Sequence, residues 1–165
     1  MTNPRALGAA AALAALGLDQ ASKAYVVYGM AMESREPIVL APFLNLALRW
    51  NHGISFSLFQ QDTARGRMIL LGFTLAATIF LGVWLWRARD RLAALALGAI
   101  IGGAVGNGLD RFAYGAVADF LDLHAFGRNL FVFNVADAAI NLGVALLLID
   151  VLLGARARPA AGTRA

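Results

Sequence analysis

The stretch MILLGFTLAATIFLGVWLW, residues 68–86, decides the fold, because it contains no charged residue over a length that can cross a bilayer. The hydrocarbon core of a membrane is about 30 Å thick, and roughly 20 helical residues span it. Comparable apolar segments cover about residues 6–28, 92–109 and 136–153. The chain of 165 residues is 60% hydrophobic, with a mean hydropathy of +0.68. We predict an all-α membrane protein forming a single integral membrane domain, residues 1–165, with four transmembrane helices.

The first apolar segment has two interpretations. Arg5 precedes a stretch rich in alanine and leucine, which is also the pattern of a cleavable signal peptide. The apolar character resumes after Lys23, at residues 24–28, and no clear small-residue cleavage site closes the segment. We therefore expect a retained transmembrane helix.

Arginine residues predict the orientation of the helices. They lie in the short linker between the second and third segments and in the basic C-terminal tail, residues 154–165. These arginines are Arg87, Arg89 and Arg91 in the linker and Arg156, Arg158 and Arg164 in the tail. The positive-inside rule then places both termini and this linker in the cytoplasm. The two longer connections face outward.

The outward connections contain a pattern of their own. Residues 44–50 alternate apolar side chains with polar or small ones, which is the period of a half-buried strand. The apolar residues 38–40, which lie between two prolines, can form an edge strand beside it. We predict a small sheet at the surface here, because an open sheet edge is not tolerated facing lipid. Residues 57–61 are amphipathic, and we expect them to lie along the membrane interface.

Two acidic residues adjoin the apolar segments on this outer side, Asp119 and Asp137. An acid near hydrocarbon is costly, so it is a functional candidate. Two carboxyl groups that converge share a proton, and the ionised member can deprotonate a water molecule. Asp137 lies near a helix N-terminus, which favours its charged form, and we expect it to be the base. Asp122 stays a rival, because it is three residues from Asp119 and could share a helical face with it.

The other polar residues near the apolar segments have structural interpretations. Asp19 and Lys23 are spaced i, i+4, so they can form an ion pair on one helix face near the outer boundary. Asn134 precedes the last segment and is a candidate N-cap. Asp110 and Arg111 follow the third segment, and we expect them to form a charge cluster that anchors the loop.

Glycines recur every four residues in the third segment, at Gly98, Gly102 and Gly106. Such a small-xxx-small pattern is typical of helices that pack closely in membranes. Asn107 is next to the last of them, and its amide needs partners wherever it faces other helices.

The composition excludes several kinds of site. The chain has no cysteine, which excludes disulfides, thiolate metal sites and cysteine nucleophiles. Its two histidines, His52 and His124, are too few for a histidine metal cage, and we expect no metal and no cofactor. The net charge of +4 does not indicate nucleic-acid binding, because the arginines lie at the ends of apolar segments.

Five blocks of sequence, in order, resemble the lipoprotein signal peptidases of bacteria, also called signal peptidase II. They are DQASK at 19–23, NHGISFS at 51–57, GGAVGNGLDR at 102–111, VADF at 117–120 and FNVAD at 133–137. The second block has Ser55 where the family commonly has alanine, and the fourth has Ala118 where the family commonly has valine. Both substitutions are conservative in size and leave the expected chemistry intact.

The resemblance implies an aspartyl endopeptidase of the bacterial inner membrane, with its active site at the outer interface. It also implies a small extracytoplasmic β-cradle within residues 36–60 and 111–135. Its substrates would be diacylglyceryl-modified prolipoproteins, cleaved just before the lipidated cysteine, and we expect a monomer that contacts membrane lipid. The family pattern makes Asp119 and Asp137 the catalytic dyad, in preference to Asp122. The positions implied to line or support the site are Asp19, Lys23, Asn51, Gly53, Asn107, Asp110, Arg111, Asn134 and Ala136.

Two other functions compete with a peptidase. A small proton-coupled transporter or channel could use the same acids as a relay, but its ionisable groups would be distributed across the membrane depth. In this chain they gather on one side, apart from Asp150. A non-catalytic chaperone that only binds lipidated peptides would tolerate the loss of either acid, whereas a peptidase would not.

Overall fold

The computed structural model describes residues 3–53, 64–125 and 128–157. Four helices and four strands follow one another along the chain. They are α1 (Pro4–Ala24), which a π-helical turn (Tyr25–Gly29) continues, a 3₁₀ turn (Met32–Ser34), β1 (Ile38–Ala41), β2 (Leu44–Asn51), α2 (Ala64–Arg87), α3 (Arg91–Tyr114), β3 (Val117–Ala125), β4 (Arg128–Phe133) and α4 (Val135–Ala157).

All four predicted helices are present, and their ends differ from the prediction in two informative places. The third helix does not end at residue 109; α3 continues to Tyr114 and ends at Gly115, whose φ of 79° is left-handed. Asp110 and Arg111 are therefore helical and buried. They do belong to a charged cluster, in which Asp110 pairs with Lys23 and Arg111 bonds to the loop at Gly53, but they lie within the helix and not after it. α4 also continues to Ala157, so the start of the predicted tail is helical.

Some predictions fall outside the described residues. They concern the amphipathic segment 57–61, Ser55, and the tail arginines Arg158 and Arg164.

α3 lies at the centre of the helices and packs against α1, α2 and α4. Of the described helices, α2, α3 and α4 are long and apolar enough to cross a membrane. α1 is not among them, so the fourth span predicted over residues 6–28 is not confirmed. The last two turns of α1 contain Asp19, Gln20 and Lys23, which lower its hydropathy. Gln20 and Lys23 bond to α3, and Asp19 accepts from a backbone amide of α4.

The glycines of α3 allow α1 to approach closely, as the sequence pattern predicted. A Cβ atom at Gly98 would collide with the backbone carbonyl of Gly8, and one at Gly102 with the carbonyl of Ala12. Contact through small residues is the usual way in which membrane helices bring their backbones together, because lipid provides no hydrophobic driving force between them.

The sheet is antiparallel with the strand order β1-β2-β3-β4, which confirms the predicted strand at residues 44–50 and its edge partner. β2 contains a bulge. Leu46 pairs with Leu121, and Arg49 pairs with Asp119. A step of three residues along β2 therefore matches a step of two along β3, which leaves one extra residue in β2. The extra residue changes which side chains of β2 share a face with Asp119.

Asp119 and Asp122 do not share a helical face, because both lie in the strand β3. Successive side chains of a strand point to opposite faces, so residues three apart are on opposite sides of the sheet. The spacing that made Asp122 a rival in a helix separates it from Asp119 in a strand.

The strands connect one end of the helical bundle, and the arginine-rich linker lies at the other. The first hairpin follows α1 and the second joins α3 to α4, whereas residues 87–91 join α2 to α3 at the opposite end. At that opposite end the guanidinium group of Arg5 lies 4.7 Å from the ring centre of Trp86, a cation–π contact.

We predict that Gly102→Ala destabilises the protein, because the new methyl group would force α1 and α3 apart. Overpacking of this kind costs about 1–3 kcal/mol. Thermal unfolding of the protein purified in detergent measures the effect.

The control is Gly72→Ala in α2, where a Cβ atom has no neighbour within 4 Å. This variant should be unchanged or slightly more stable, since alanine is the better helix former. Equal effects of the two substitutions would contradict the packing role of Gly102.

Candidate active site

A cluster of buried polar residues lies where α1, α3 and α4 meet the sheet. A polar group withdrawn from water needs hydrogen-bond partners, so a cluster of this size must be internally paired. Its buried members are Asp19, Lys23, Asn107, Asp110, Arg111, Asp119 and Asn134. The nine residues that the sequence assigned to support of the site, and both candidate catalytic acids, belong to this cluster or contact it.

Asp119 extends from β3 and has 3% of its surface exposed. Its Oδ1 accepts a hydrogen bond from Asn134 Nδ2 at 2.6 Å, and its Oδ2 accepts one from Asn51 Nδ2 at 2.9 Å. Burial raises the pKa of Asp119 from its ordinary value of 3.8 to about 7, and the negative charge of Asp137 adds to the increase. The two amide hydrogen bonds act in the opposite direction, because they stabilise the ionised form.

Asp137 lies in the first turn of α4. Its Oδ2 accepts from the backbone N–H of Asn134 at 3.2 Å, and the side-chain oxygen of Asn134 accepts from the backbone N–H of Asp137 at 3.0 Å. This reciprocal arrangement confirms Asn134 as the N-cap of α4. The other carboxylate oxygen, Oδ1, accepts from Asn107 Nδ2 at 2.9 Å.

Asn134 also connects the two acids. Its Nδ2 donates to Asp119, and the same amide nitrogen donates to Asn107 Oδ1 at 3.1 Å. Asn107 in turn donates to Asp137. Two amide side chains therefore hold both carboxyl groups in one hydrogen-bonded unit.

Lys23 neutralises the acids behind this unit. Its ammonium group lies 2.8 Å from Asp19 Oδ2, 2.8 Å from Asp110 Oδ2 and 2.9 Å from Asn107 Oδ1. Three acceptors match the three donors of an ammonium group. The i, i+4 ion pair of Asp19 and Lys23 that the spacing predicted is confirmed, and both side chains are buried.

Asp19 and Asp110 each bind a backbone amide of the segment that carries a candidate catalytic acid. Asp19 Oδ1 accepts from the N–H of Ala136 at 2.9 Å, next to Asp137 in α4. Asp110 Oδ2 accepts from the N–H of Ala118 at 3.2 Å, next to Asp119 in β3.

Arg111 fixes the loop that follows β2. Its guanidinium group donates to the carbonyl of Gly53 at 2.6 Å and to the carbonyl of Asn107 at 3.2 Å. The N–H of Gly53 donates to Asn51 Oδ1 at 2.9 Å, so the side chain that bonds Asp119 is itself held in place.

Gln20 is a further member of the cluster, and it is not among the site residues predicted from the sequence. Its amide nitrogen donates to Asp19 Oδ2 at 3.1 Å and to Asp110 Oδ1 at 3.0 Å. A glutamine next to an aspartate inside an apolar segment is a signal that could have identified it.

Two cavities meet at Asp119. One of about 120 Å³ lies between the end of β4 and the start of α4, and both Asp119 and Asp137 line it. The other, of about 270 Å³, lies over β2, β3 and β4 and includes Arg49 and Asn129. The candidate acids therefore adjoin space in which a water molecule and a peptide can lie.

Asp122 has a different environment. It is 3% exposed and pairs across the sheet with Asn45 and Val132, and it lines neither of these two cavities. Among the described residues, no group of three or more His, Cys, Asp or Glu side chains could hold a metal ion.

Comparison with known proteins identifies the family. The sequence profile of signal peptidase II matches residues 11–153. The chain belongs to the signal peptidase II family. Two bacterial lipoprotein signal peptidases illustrate the similarity. The one from Beijerinckia indica subsp. indica is 53% identical over 148 residues, covering 90% of this chain and 89% of the relative. The one from Methylocella silvestris is 53% identical over 154 residues, covering 93% and 90%.

The fold of this signal peptidase II chain is similar to that of two solved bacterial membrane enzymes. One has a TM-score of 0.79 at 24% identity, covering 95% of this chain and 94% of the other. The second has a TM-score of 0.73 at 26% identity, covering 88% and 92%. Membership of the family makes the chain a peptidase of the aspartic type, and its apolar helices fit a membrane enzyme.

We predict that Lys23→Met strongly destabilises this signal peptidase II chain, because it leaves two buried carboxylates without a counter-charge. Removing one partner of a buried pair costs about 3–5 kcal/mol. Thermal unfolding in detergent measures the loss.

Arg35→Met is the matched control, since it removes a positive charge from an exposed position. It should leave the unfolding temperature nearly unchanged. A Lys23→Met variant as stable as this control would contradict the role given to the ammonium group.

Proposed function

We propose that the chain removes signal peptides from diacylglyceryl-modified prolipoproteins, cleaving just before the lipidated cysteine, with Asp119 and Asp137 as the catalytic dyad. One observation carries the proposal: two carboxyl groups that share an asparagine bridge line the same cavity. The names of the relatives, lipoprotein signal peptidases, support the substrate class.

The two acids act on a water molecule between them. Asp137 in its ionised form takes a proton from the water, and the resulting hydroxide attacks the carbonyl carbon of the scissile bond. Asp119 in its protonated form donates a hydrogen bond to the carbonyl oxygen as negative charge develops there. When the C–N bond breaks, the proton taken by Asp137 passes to the leaving nitrogen, and Asp119 keeps or regains its own.

The surroundings of the two acids support this division of roles. Asp137 lies at the N-terminus of α4, where the partial positive charge of the helix stabilises an anion, and it accepts from a backbone N–H. Asp119 lies in a strand, so no helix terminus stabilises its anion, and its pKa of about 7 keeps a proton available near neutral pH. Because the two groups interact, protonation belongs to the pair and not to either residue alone.

The supporting residues keep the dyad in register. Asn134 and Asn51 orient Asp119, and Asn107 orients Asp137. Asp19, Lys23, Asp110, Arg111, Gly53 and Ala136 hold those groups through the contacts described above. A catalytic group misplaced by 1 Å can lose about a hundredfold in rate, so positioning at this distance matters.

The membrane placement follows the same proposal. α1 serves as a fourth span whose polar turns are covered by α3, both termini are cytoplasmic, and the site lies at the outer interface of the inner membrane. The arginines of the linker between α2 and α3 lie at the opposite end from the dyad, as the positive-inside rule requires. A lipid-anchored substrate is confined to the bilayer, so it reaches the enzyme, which acts as a monomer, by lateral diffusion.

We predict that Asp119→Asn and Asp137→Asn each abolish processing, because neither variant can complete the proton transfers. The measurement is cleavage of a diacylglyceryl prolipoprotein by the full-length enzyme in reconstituted membranes.

Asp122→Asn is the control and should retain substantial activity, since Asp122 faces the other side of the sheet. Thermal unfolding of each variant verifies that it is folded. Full turnover by a folded dyad variant would contradict the proposed mechanism, and a chaperone without catalysis would show no cleavage by the unaltered enzyme.

We predict that kcat/KM falls as the pH rises through about 7, because Asp119 then loses the proton with which it polarises the carbonyl. The same ionisation lowers stability. A carboxyl group that titrates near 3.8 when unfolded and at about 7 when folded holds more protons in the folded state, so the free energy of unfolding decreases from about pH 4 to about pH 7.

Both effects can be measured separately, by a pH profile of cleavage and by thermal unfolding across the same pH range. Asp119→Asn removes the titrating group, and its unfolding should lose most of this pH dependence. Cleavage that stays constant up to pH 8.5 would contradict Asp119 as the acid.

A further inference from the structure

The two cavities that meet at Asp119 differ in chemistry. The cavity beside α4 is lined by Phe131, Phe133 and Ile140 and, apart from the two acids, has no charged group among its described lining residues. The cavity over the sheet contains Arg49 and Asn129 as well as the apolar edge of β4. A peptide that lies across Asp119 would therefore have one segment in an apolar cavity and the other in a polar cavity.

This difference sets the direction in which a substrate lies. A signal peptide contains an apolar stretch of roughly 7–15 residues before its cleavage site. The helix α4 is itself long and apolar enough to cross a membrane. The apolar cavity beside α4 therefore suits the segment before the scissile bond. The mature segment after it then extends over β2, β3 and β4.

Arg49 is the charged residue that this mature segment meets. It is the cross-strand partner of Asp119, so the two side chains point to the same face of the sheet. Its side chain is exposed, and no ion pair involves it within the described residues. The cavity over the sheet has no other cation among its described lining residues.

The reach of this cation is short. Neighbouring strands are about 4.8 Å apart, and an extended peptide advances about 3.3 Å per residue. A positive charge one strand away from the scissile bond therefore acts on the first two or three residues that follow it.

We infer that Arg49 is a specificity-determining residue, which favours prolipoproteins with an aspartate or glutamate within the first three residues after the cleavage site. The inference rests on the proposed function. It concerns the choice among substrates and not the chemistry of cleavage.

Three synthetic diacylglyceryl-prolipopeptides test it. They are identical except for Glu, Gln or Lys at the position after the lipidated cysteine, and the full-length enzyme cleaves them in uncharged phosphatidylcholine vesicles. We expect kcat/KM in the order Glu, Gln, Lys, with about a threefold difference between Glu and Gln, which is the size of an exposed ion pair. Raising NaCl to about 0.5 M should reduce this ratio, because salt screens exposed charges.

Variants identify the source of the preference. The ratio between substrates is compared within each variant, so differences in expression or folding cancel. Arg49→Gln should lower the Glu-to-Gln ratio to one or below, since the charge of the dyad then acts alone, and Arg49→Glu should favour the Lys substrate. Arg128→Gln is the control of equal charge change, at the far end of β4, and should keep the ratio of the unaltered enzyme.

A Glu-to-Gln ratio that is the same in Arg49→Gln and in the unaltered enzyme would overturn the inference while leaving the proposed function intact. Failure of the unaltered enzyme to cleave any of the three peptides would contradict the proposed function itself, and this inference with it.

Discussion

The contacts of the Lys23 ammonium group are the interactions on which the end of the molecule that carries the sheet depends. They allow two carboxylates, Asp19 and Asp110, to be withdrawn from water, which neither could be alone. Each carboxylate then uses a remaining lone pair to bind a backbone amide, Asp19 that of Ala136 and Asp110 that of Ala118. One buried positive charge thus positions the start of α4 and the start of β3, and these are the segments from which the two candidate catalytic acids extend.

The same charge also sets the direction of the asparagine side chains. A side-chain amide has an accepting oxygen and a donating nitrogen, and the ammonium group of Lys23 donates to the oxygen of Asn107. The amide nitrogen of Asn107 therefore points to Asp137 and donates to it, and the amide nitrogen of Asn134 donates to Asp119. The acids therefore receive hydrogen bonds from both amides. A network of this kind costs little to reorganise during the reaction, because its dipoles are already aligned.

The spacing of residues predicted features within a single helix or strand. Contacts between residues far apart in the chain became visible only in the structure. The i, i+4 pair of α1, the glycines of α3, the strand at 44–50 and the cap at Asn134 all follow from periodicity or from one residue type. Periodicity could not show that Asn107 completes the coordination of Lys23 across 84 residues of chain. It also mistook the end of the third helix, because polar residues in a sequence mark a helix end and a buried network equally well. Asp122 was separated from Asp119 only by the family resemblance and by the alternation of a strand.

The bulge in β2 makes the site depend on the pairing register of the strand, which no single side chain reveals. Leu46 and Arg49 are three residues apart, yet their partners Leu121 and Asp119 are two apart. Beyond this point the side chains of β2 have changed faces, which is why Asn51 reaches Asp119. If β2 had kept the register set by Leu46 and Leu121, Leu48 would pair with Asp119, and Asn51 would lie on the other face of the sheet. The extra residue of the bulge is therefore as much a part of the site as the carboxyl groups themselves.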